Sequence, residues 1–400
     1  MRHLRRAYPI ILLACIGNQA YAAGFQLNAQ SATGLGRAFA GDGIIADNAS
    51  VMAKNSAAMA LFDQPSLSVG AIGVVTDVNI TDASYTPMFG DTVDANVDDI
   101  ANNAFIPNFY YVHPIADSDL TLGAGIYSNF ATNIAFPDDY VASEFGGETS
   151  LTSINIALSA AYQVTDKLSL GAGLDIIHGE GQISRDALLA VEADGVAYGF
   201  NLGVAYEFNA NNRLGLSYRY SPDLEANGDV DMTGEGSASS INIPLPDMIE
   251  LSGYHRVMPQ LAFHYSVQYV QWAEFDSLTS DEFDSNIKDY EWADAGHISI
   301  GSTYYVSPEW ELRAGYMYDH APTDTLESLS IPDASRHWLS LGSTYKISRS
   351  QSIDLGVSYI LAEDTTVEES LTTIPGTESS INGVVKSSAW LFGLQYNHSF

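Results

Sequence analysis

The sequence predicts an all-β protein, a transmembrane antiparallel β-barrel of about fourteen strands with an N-terminal hatch lodged in its lumen. Three observations predict it. From Pro65 onward large apolar residues recur at every second position, the residues on the opposite face are small, and the final strand alternates down to a terminal aromatic, Phe400.

Arg2, Arg5 and Arg6 precede an apolar stretch at 10–16 and then Ala20-Tyr21-Ala22, which has the small-x-small form of a signal-peptidase site. Residues 1–22 are therefore expected to be a signal peptide, and charge, apolar core and cleavage site in that order argue against an apolar cytoplasmic start. Leu12-Leu13-Ala14-Cys15 looks like a lipoprotein box, but the apolar run before Cys15 is very short. Cleavage after Ala22 removes Cys15, the single cysteine, which leaves no thiol, disulfide or cysteine metal site, and no cofactor is expected. Beyond the signal no uncharged apolar run reaches the roughly eighteen residues of a membrane helix, so spanning falls to strands. Loss of the three signal arginines takes Lys+Arg from 16 to 13 against 49 Asp+Glu, moving the net charge from -33 to -36, which excludes nucleic acid as a partner.

The alternation is persistent. Leu120, Leu122, Ala124 and Ile126 show it, as do Leu168, Leu170, Ala172 and Leu174, then Tyr198, Phe200, Leu202, Val204 and Tyr206, and Leu261, Phe263, Tyr265, Val267 and Tyr269. A soluble sandwich alternates too, but sets charges on its solvated face. Here the opposite positions are Gly, Ser, Thr and Asn, among them Gly171, Gly203, Gly215, Gly301, Gly315, Gly342 and Gly356, a face that suits a lumen holding something else. Connections alternate as well. Short turns fall near 114–119, 165–167, 209–212, 257–260, 307–309 and 347–351, and long polar stretches near 79–104, 131–149, 178–196, 221–246, 273–296, 319–336 and 360–386, the pattern of periplasmic turns and external loops. Those seven stretches carry 35 of the 49 acids and only Arg185, Lys288, Arg336 and Lys386 as bases. Such a coat reads first as solvated, mutually repelling loops. Asp281-Glu282-Phe283-Asp284 is the kind of run that holds calcium, but matches no defined calcium loop. The last strand, with Trp390, Phe392, Leu394, Tyr396, His398 and Phe400, is the strongest single signal and resembles the assembly signal of outer-membrane barrels.

Between the cleavage site and the first strand lies a segment that does not alternate, taken as a hatch domain at 23–63 ahead of a barrel at 64–400. Gly34, Gly36, Gly41 and Gly43 make its first half a tightly turning chain, and 49–61 suits short helices rich in Ala and Met. It is too polar for lipid and too small to fold alone, which leaves the lumen. Its Gly-x-Gly and Arg37 are not a phosphate loop, since no strand precedes and no Gly-Lys-Ser/Thr follows.

The AGFQLN at 23–28, the GLGRA at 34–38 and the GDGIIAD at 41–47 resemble the FadL family of outer-membrane long-chain fatty acid transporters. FDQPSLSVGA, ELSGYHRVMPQ, SIPDASRHWLS and AWLFG extend the resemblance through the chain. It implies a fourteen-stranded barrel, in agreement with the strand count, and diffusion of a lipophilic ligand from an external groove to an internal apolar pocket. Hatch rearrangement and sideways exit beside a kinked third strand would follow. Two departures bear on that exit: the family's Asn-Pro-Ala appears as Asn55-Ser56-Ala57, and Ser128-Asn129-Phe130-Ala131 has Ala131 where the family commonly has glycine.

A fatty-acid tail of about sixteen carbons is worth about 12 kcal/mol when buried, so a site that takes it must deform to let it go. Phe25 looks like a family pocket residue coupling ligand arrival to hatch movement, against plain aromatic packing. A carboxylate in so acidic a chain needs a local base, or must enter protonated. Arg185 and Arg336 lead the candidates, with Lys288 third, and each is as well explained by an ion pair to a nearby acid such as Asp186 or Asp333. The expected setting is a single-chain barrel in outer-membrane lipid. Other readings are an aromatic-hydrocarbon channel, a polar-solute porin, and an outer-membrane lipase, for which no nucleophile motif such as Gly-x-Ser-x-Gly appears.

Overall fold

The computed structural model describes residues 24–186, 188–323, 325–326, 328–372 and 377–400; the expected signal peptide, with Cys15, lies outside them. In chain order the spans are β1 (Ser66–Thr86), β2 (Ala104–Pro114), β3 (Leu120–Tyr127, resumed as Ala131–Ala135), β4 (Glu148–Thr165), β5 (Leu168–Arg185), β6 (Leu189–Asn209) and β7 (Asn212–Tyr220, resumed as Leu224–Met232). They continue with β8 (Gly236–Ile243, resumed as Met248–Met258), β9 (Leu261–Val270), β10 (Ala295–Tyr305), β11 (Trp310–His320), β12 (Arg336–Lys346), β13 (Gln351–Ala362, resumed as Thr365–Leu371) and β14 (Ser379–Ser399). Each pairs antiparallel with the next, and β14 returns to β1 from Ser66↔Ser399 to Thr86↔Ser380, closing a 14-strand barrel without a free edge. No helix among the described residues is long and apolar enough to cross a membrane.

The sequence period becomes the two faces of the wall. Along β6 Tyr198, Phe200, Leu202 and Tyr206 are exposed outward, while Gly199, Asn201, Gly203 and Ala205 are buried inward. An outward Leu on this wall meets lipid, so its exposure is the fold's purpose and not a defect. Paired rings mark the short-turn end, Tyr206 on Phe208, Trp310 beside Tyr345 and Tyr111 against Phe400. The short turns fall where the sequence places them.

Inside, residues 24–62 pack against the small face of the wall. The segment holds one turn of helix, α1 (Ala32–Leu35), and two 3-10 turns, Ala49–Ala53 and Ser56–Leu61. Each starts at a polar cap: Ser31, Asn48 and Asn55 accept from the backbone N–H of Gly34, Ser50 and Ala57 at 2.9, 3.0 and 3.0 Å. Arg37 is buried and bonded to Asp42 and Asp47 of the same segment. Gly36 and Gly342 show why the wall needs its glycines. A Cβ on Gly36 would lie 2.7 Å from the Cα of Gly342, and one on Gly342 would lie 2.6 Å from the Cα of Gly36, so segment and strand touch backbone to backbone.

Candidate functional site

At the long-loop end, Ile183, Leu188, Leu189, Met232, Ile287 and Tyr290 line a cavity of about 380 Å³ that also takes in Arg185, Lys288 and Glu369. The two bases converge on one acid: Arg185 Nη1 and Lys288 Nζ lie 3.0 and 2.8 Å from Glu369 Oε1. Arg185 Nη2 donates to Ser328 Oγ at 2.9 Å, and the N–H of Leu329 donates to Glu369 Oε2 at 2.9 Å. Burial pushes the Glu369 carboxyl up, but Arg185 and Lys288 outweigh it and hold the group below its ordinary value. Glu144, which accepts from the Tyr85 hydroxyl at 2.7 Å, also lines the cavity, so two bases and two acids balance there, and both bases are gathered on Glu369 above an aliphatic wall.

Beneath lies a cluster of rings. Tyr290 meets Phe275 with centroids 4.8 Å apart, and Phe275 and Trp272 each meet the ring of Phe25 at 4.8 Å. Trp292 and Phe130 complete the surround at 6.0 and 5.7 Å. Phe25 is fully buried and belongs to the same apolar cluster as Ile183, Leu189 and Ile287, so packed side chains, Tyr290 and Phe275 among them, link the cavity lining to its ring. Gly24 before it has φ +60°, and a Cβ there would fall 2.6 Å from the Trp272 indole, so the chain can enter the cluster only as glycine. Its N–H donates to Asp333 Oδ2 at 2.8 Å, and Asp333 also pairs with Arg336. Burial raises the Asp333 carboxyl above its ordinary value despite Arg336 and the Gly24 N–H.

The backbone of Phe25 reaches the wall. The ladder between β2 and β3 runs from Pro114↔Thr121 to Phe109↔Ile126 and stops, and Ala131–Ala135 then pairs with β4. At the interruption the N-terminal segment supplies the missing bonds: the N–H of Ala131 donates to the Phe25 carbonyl at 2.8 Å, and that of Leu27 to the Asn129 carbonyl at 2.6 Å. Phe130 is held on its other side by Ser153, whose Oγ accepts from the Phe130 N–H at 3.0 Å. Asn129, Phe130 and Ala131 thus sit at a break in the third strand, and the break forms with alanine at 131.

Arg185 and Lys288 come together; Arg336 lies apart, paired with Asp333 as its sequence neighbourhood allows. The partner of Arg185 is Glu369, not the adjacent Asp186. Asn55 bonds across to β6, its Nδ2 donating to the Val204 carbonyl at 3.0 Å. Ser56 starts the second 3-10 turn, where proline is also favoured, so the Asn55 cap sets the geometry that a proline would. Ala57 packs at Gly171 and Gly203. Sequence reading missed Glu369, Trp272, Phe275 and Trp292. The two tryptophans flanking an acidic loop are the one signal that pointed there. In that loop Glu282 accepts from the N–H and Oγ of Ser239 at 2.7 Å each, so one acid of its acidic run is bonded within the external loops.

Residues 13–400 match the family described as outer membrane protein transport protein (OMPP1/FadL/TodX). The chain belongs to this family. A long-chain fatty acid transport protein of Salmonella typhi is 35% identical, over 98% of this chain and 97% of its own length. A 47 kDa outer membrane protein of Pasteurella multocida is 35% identical, over 97% and 96%. Among solved structures, a Pseudomonas aeruginosa FadL homologue superposes with a TM-score of 0.84 at 21% identity, covering 94% of this chain and 100% of that one. The P. putida toluene transporter TodX superposes at 0.63 and 17% identity, over 88% and 94%. This OMPP1/FadL/TodX barrel is an outer-membrane protein, and its relatives are transporters and channels.

Proposed function

We propose that this barrel carries long-chain fatty acids across the outer membrane, with residues 24–62 acting as a hatch and the break in β3 as a lateral exit into the lipid. The observation that carries the reading is the double role of Phe25. Its ring lies beneath the outer cavity, packed on Phe275, which meets the cavity-lining Tyr290, and its carbonyl is bonded to Ala131 at the break in the wall. A tail that displaces the ring pulls on the same backbone that seals the wall, so arrival and release are coupled without a separate signal.

Arg185 and Lys288 favour a fatty acid over an uncharged aromatic hydrocarbon, since a carboxylate can share the two bases with Glu369, whereas a hydrocarbon gains nothing from them and bears the cost of desolvating them. The apolar lining takes the tail, and the carboxylate replaces part of Glu369's hold on the two bases. Asn55, Ser56 and Ala57 seat the far end of the hatch on β5 and β6, so that motion concentrates near Phe25. The barrel acts as a monomer in outer-membrane lipid and catalyses no reaction.

The test compares uptake of oleate and of toluene in cells lacking and expressing the protein. Oleate uptake is expected to depend on it. Uptake of toluene alone would replace the fatty-acid reading with the hydrocarbon-channel one, and release of fatty acid from phospholipid by purified protein would turn it into an enzyme.

A further inference from the structure

We propose that a second, inner subsite for the carboxylate head group lies between the aromatic cluster and the break in β3, built around Lys54 and the amides of Asn28 and Asn129. The inference rests on the fatty-acid reading above and adds a station to it.

Gln26, Gln30, Lys54, Asn129, Arg219 and Glu250 line a small chamber of about 20 Å³ just inside the wall. Its polar groups satisfy one another only in part, Gln26 donating to Gln268, Gln268 to Glu250 and Gln30 to Asn129. Lys54, a buried ammonium with three donors, is hydrogen-bonded to Asn28 Oδ1 at 3.1 Å and stands 3.9 Å from Glu250, which is already bonded to Ser252 and Ser266. Asn28 Nδ2 and Asn129 Nδ2 are buried without a partner, in residues that are 2% and 5% exposed. Gln30 donates its Nε2 to the Leu27 carbonyl, and its Oε1 is buried without a donor. Arg219 is committed to Asp175 and to the Ala53 carbonyl.

Around the chamber the unpartnered donors, Asn28 Nδ2, Asn129 Nδ2 and the spare protons of Lys54, outnumber the one unpartnered acceptor, Gln30 Oε1. The Glu250 carboxylate stands 3.9 Å from Lys54, beyond hydrogen-bond reach, so the set can use a further acceptor with more than one lone-pair site, and a carboxylate is one. At its present size the chamber admits about one water-sized group. A head group enters only when residues 26–30 shift, and those are the residues bonded to 129 at the break. Gln26 joins the chamber to Gln268 at 2.8 Å, one residue after the ring that meets the tail. A head group leaving Arg185 and Lys288 thus finds a second cation, Lys54, before the lipid.

Lys54→Met in the full-length protein tests the assignment, with heat-modifiable migration of the purified barrel as the folding control. Oleate uptake is expected to fall by about tenfold or more, toluene uptake to stay at its wild-type value, and Lys54→Arg to restore oleate uptake. Parallel loss of both ligands, or no change in oleate uptake, overturns it. Should Lys54→Met fail to fold, Asn129→Leu removes one orphan donor and keeps the ion pairs, and an unchanged oleate-to-toluene ratio then overturns the subsite. A wild-type barrel that carries toluene and not oleate removes the fatty-acid reading itself, a result read from the wild-type control alone.

Discussion

The outer and inner halves of the lumen are filled by different means. The outer half, between Ile183 and Leu371, is roofed by long loops and keeps a cavity of about 380 Å³ beside two bases and two acids. The inner half is packed until Gly36 and Gly342 meet backbone to backbone. Large side chains on loops leave room that a ligand can use, whereas glycine against glycine leaves none, so ligand capture belongs to the first region and mechanical support to the second.

Three measurements break or sharpen that contrast. The largest effect is expected from Gly36→Val, which pushes a branched side chain into the Gly342 backbone. Overpacking of this kind costs about 3 kcal/mol, and thermal unfolding of the detergent-solubilised barrel is expected to move down by several degrees. An unchanged midpoint would mean the segment is not seated there. Arg185→Ala addresses the outer half. It leaves Glu369 paired with Lys288, so unfolding stays near wild type, while oleate binding weakens by roughly tenfold to a hundredfold and binding of an alkane does not. Equal loss for both ligands sinks the role of Arg185.

The smallest effect is a pH dependence. Glu369 is held below its ordinary value of 4.5, so its contribution to stability is full above pH 4.5 and is lost as the pH falls through the depressed value. The stability difference between wild type and Glu369→Gln is expected to stay flat from neutral pH to 4.5 and to shrink below it, read from denaturation at a series of pH values. Asp333 at the floor has the opposite sign: its carboxyl is raised above 3.8, so its contribution is full below 3.8 and fades as the pH rises through the raised value. A difference for Glu369→Gln that instead grew in acid would contradict the pairing.

The wall was legible because a strand's period is read directly from alternating residues, and a closed barrel adds no tertiary exception to it. Tyr198, Phe200 and Leu202 face outward and Gly199, Asn201 and Gly203 inward, as local spacing requires. Asp333 with Arg336 was within reach of the sequence, being three residues apart. Arg185 with Glu369 was not, since 184 residues separate them and only the loops' return path joins them. The Phe25 and Ala131 bond escaped for a related reason: it is made by backbone atoms, which every sequence carries at every position. Lys54 escaped because a lone base among alanines reads as a solvated helix face, and only the enclosing wall makes its spare donors count.

The Gly36 and Gly342 contact bears finally on the cell as well as on the ligand. On the proposed reading, a stopper seated that closely stays in the barrel while cargo passes, so what enters must be slim, greasy and able to leave through the side, and the axis need never open as a pore.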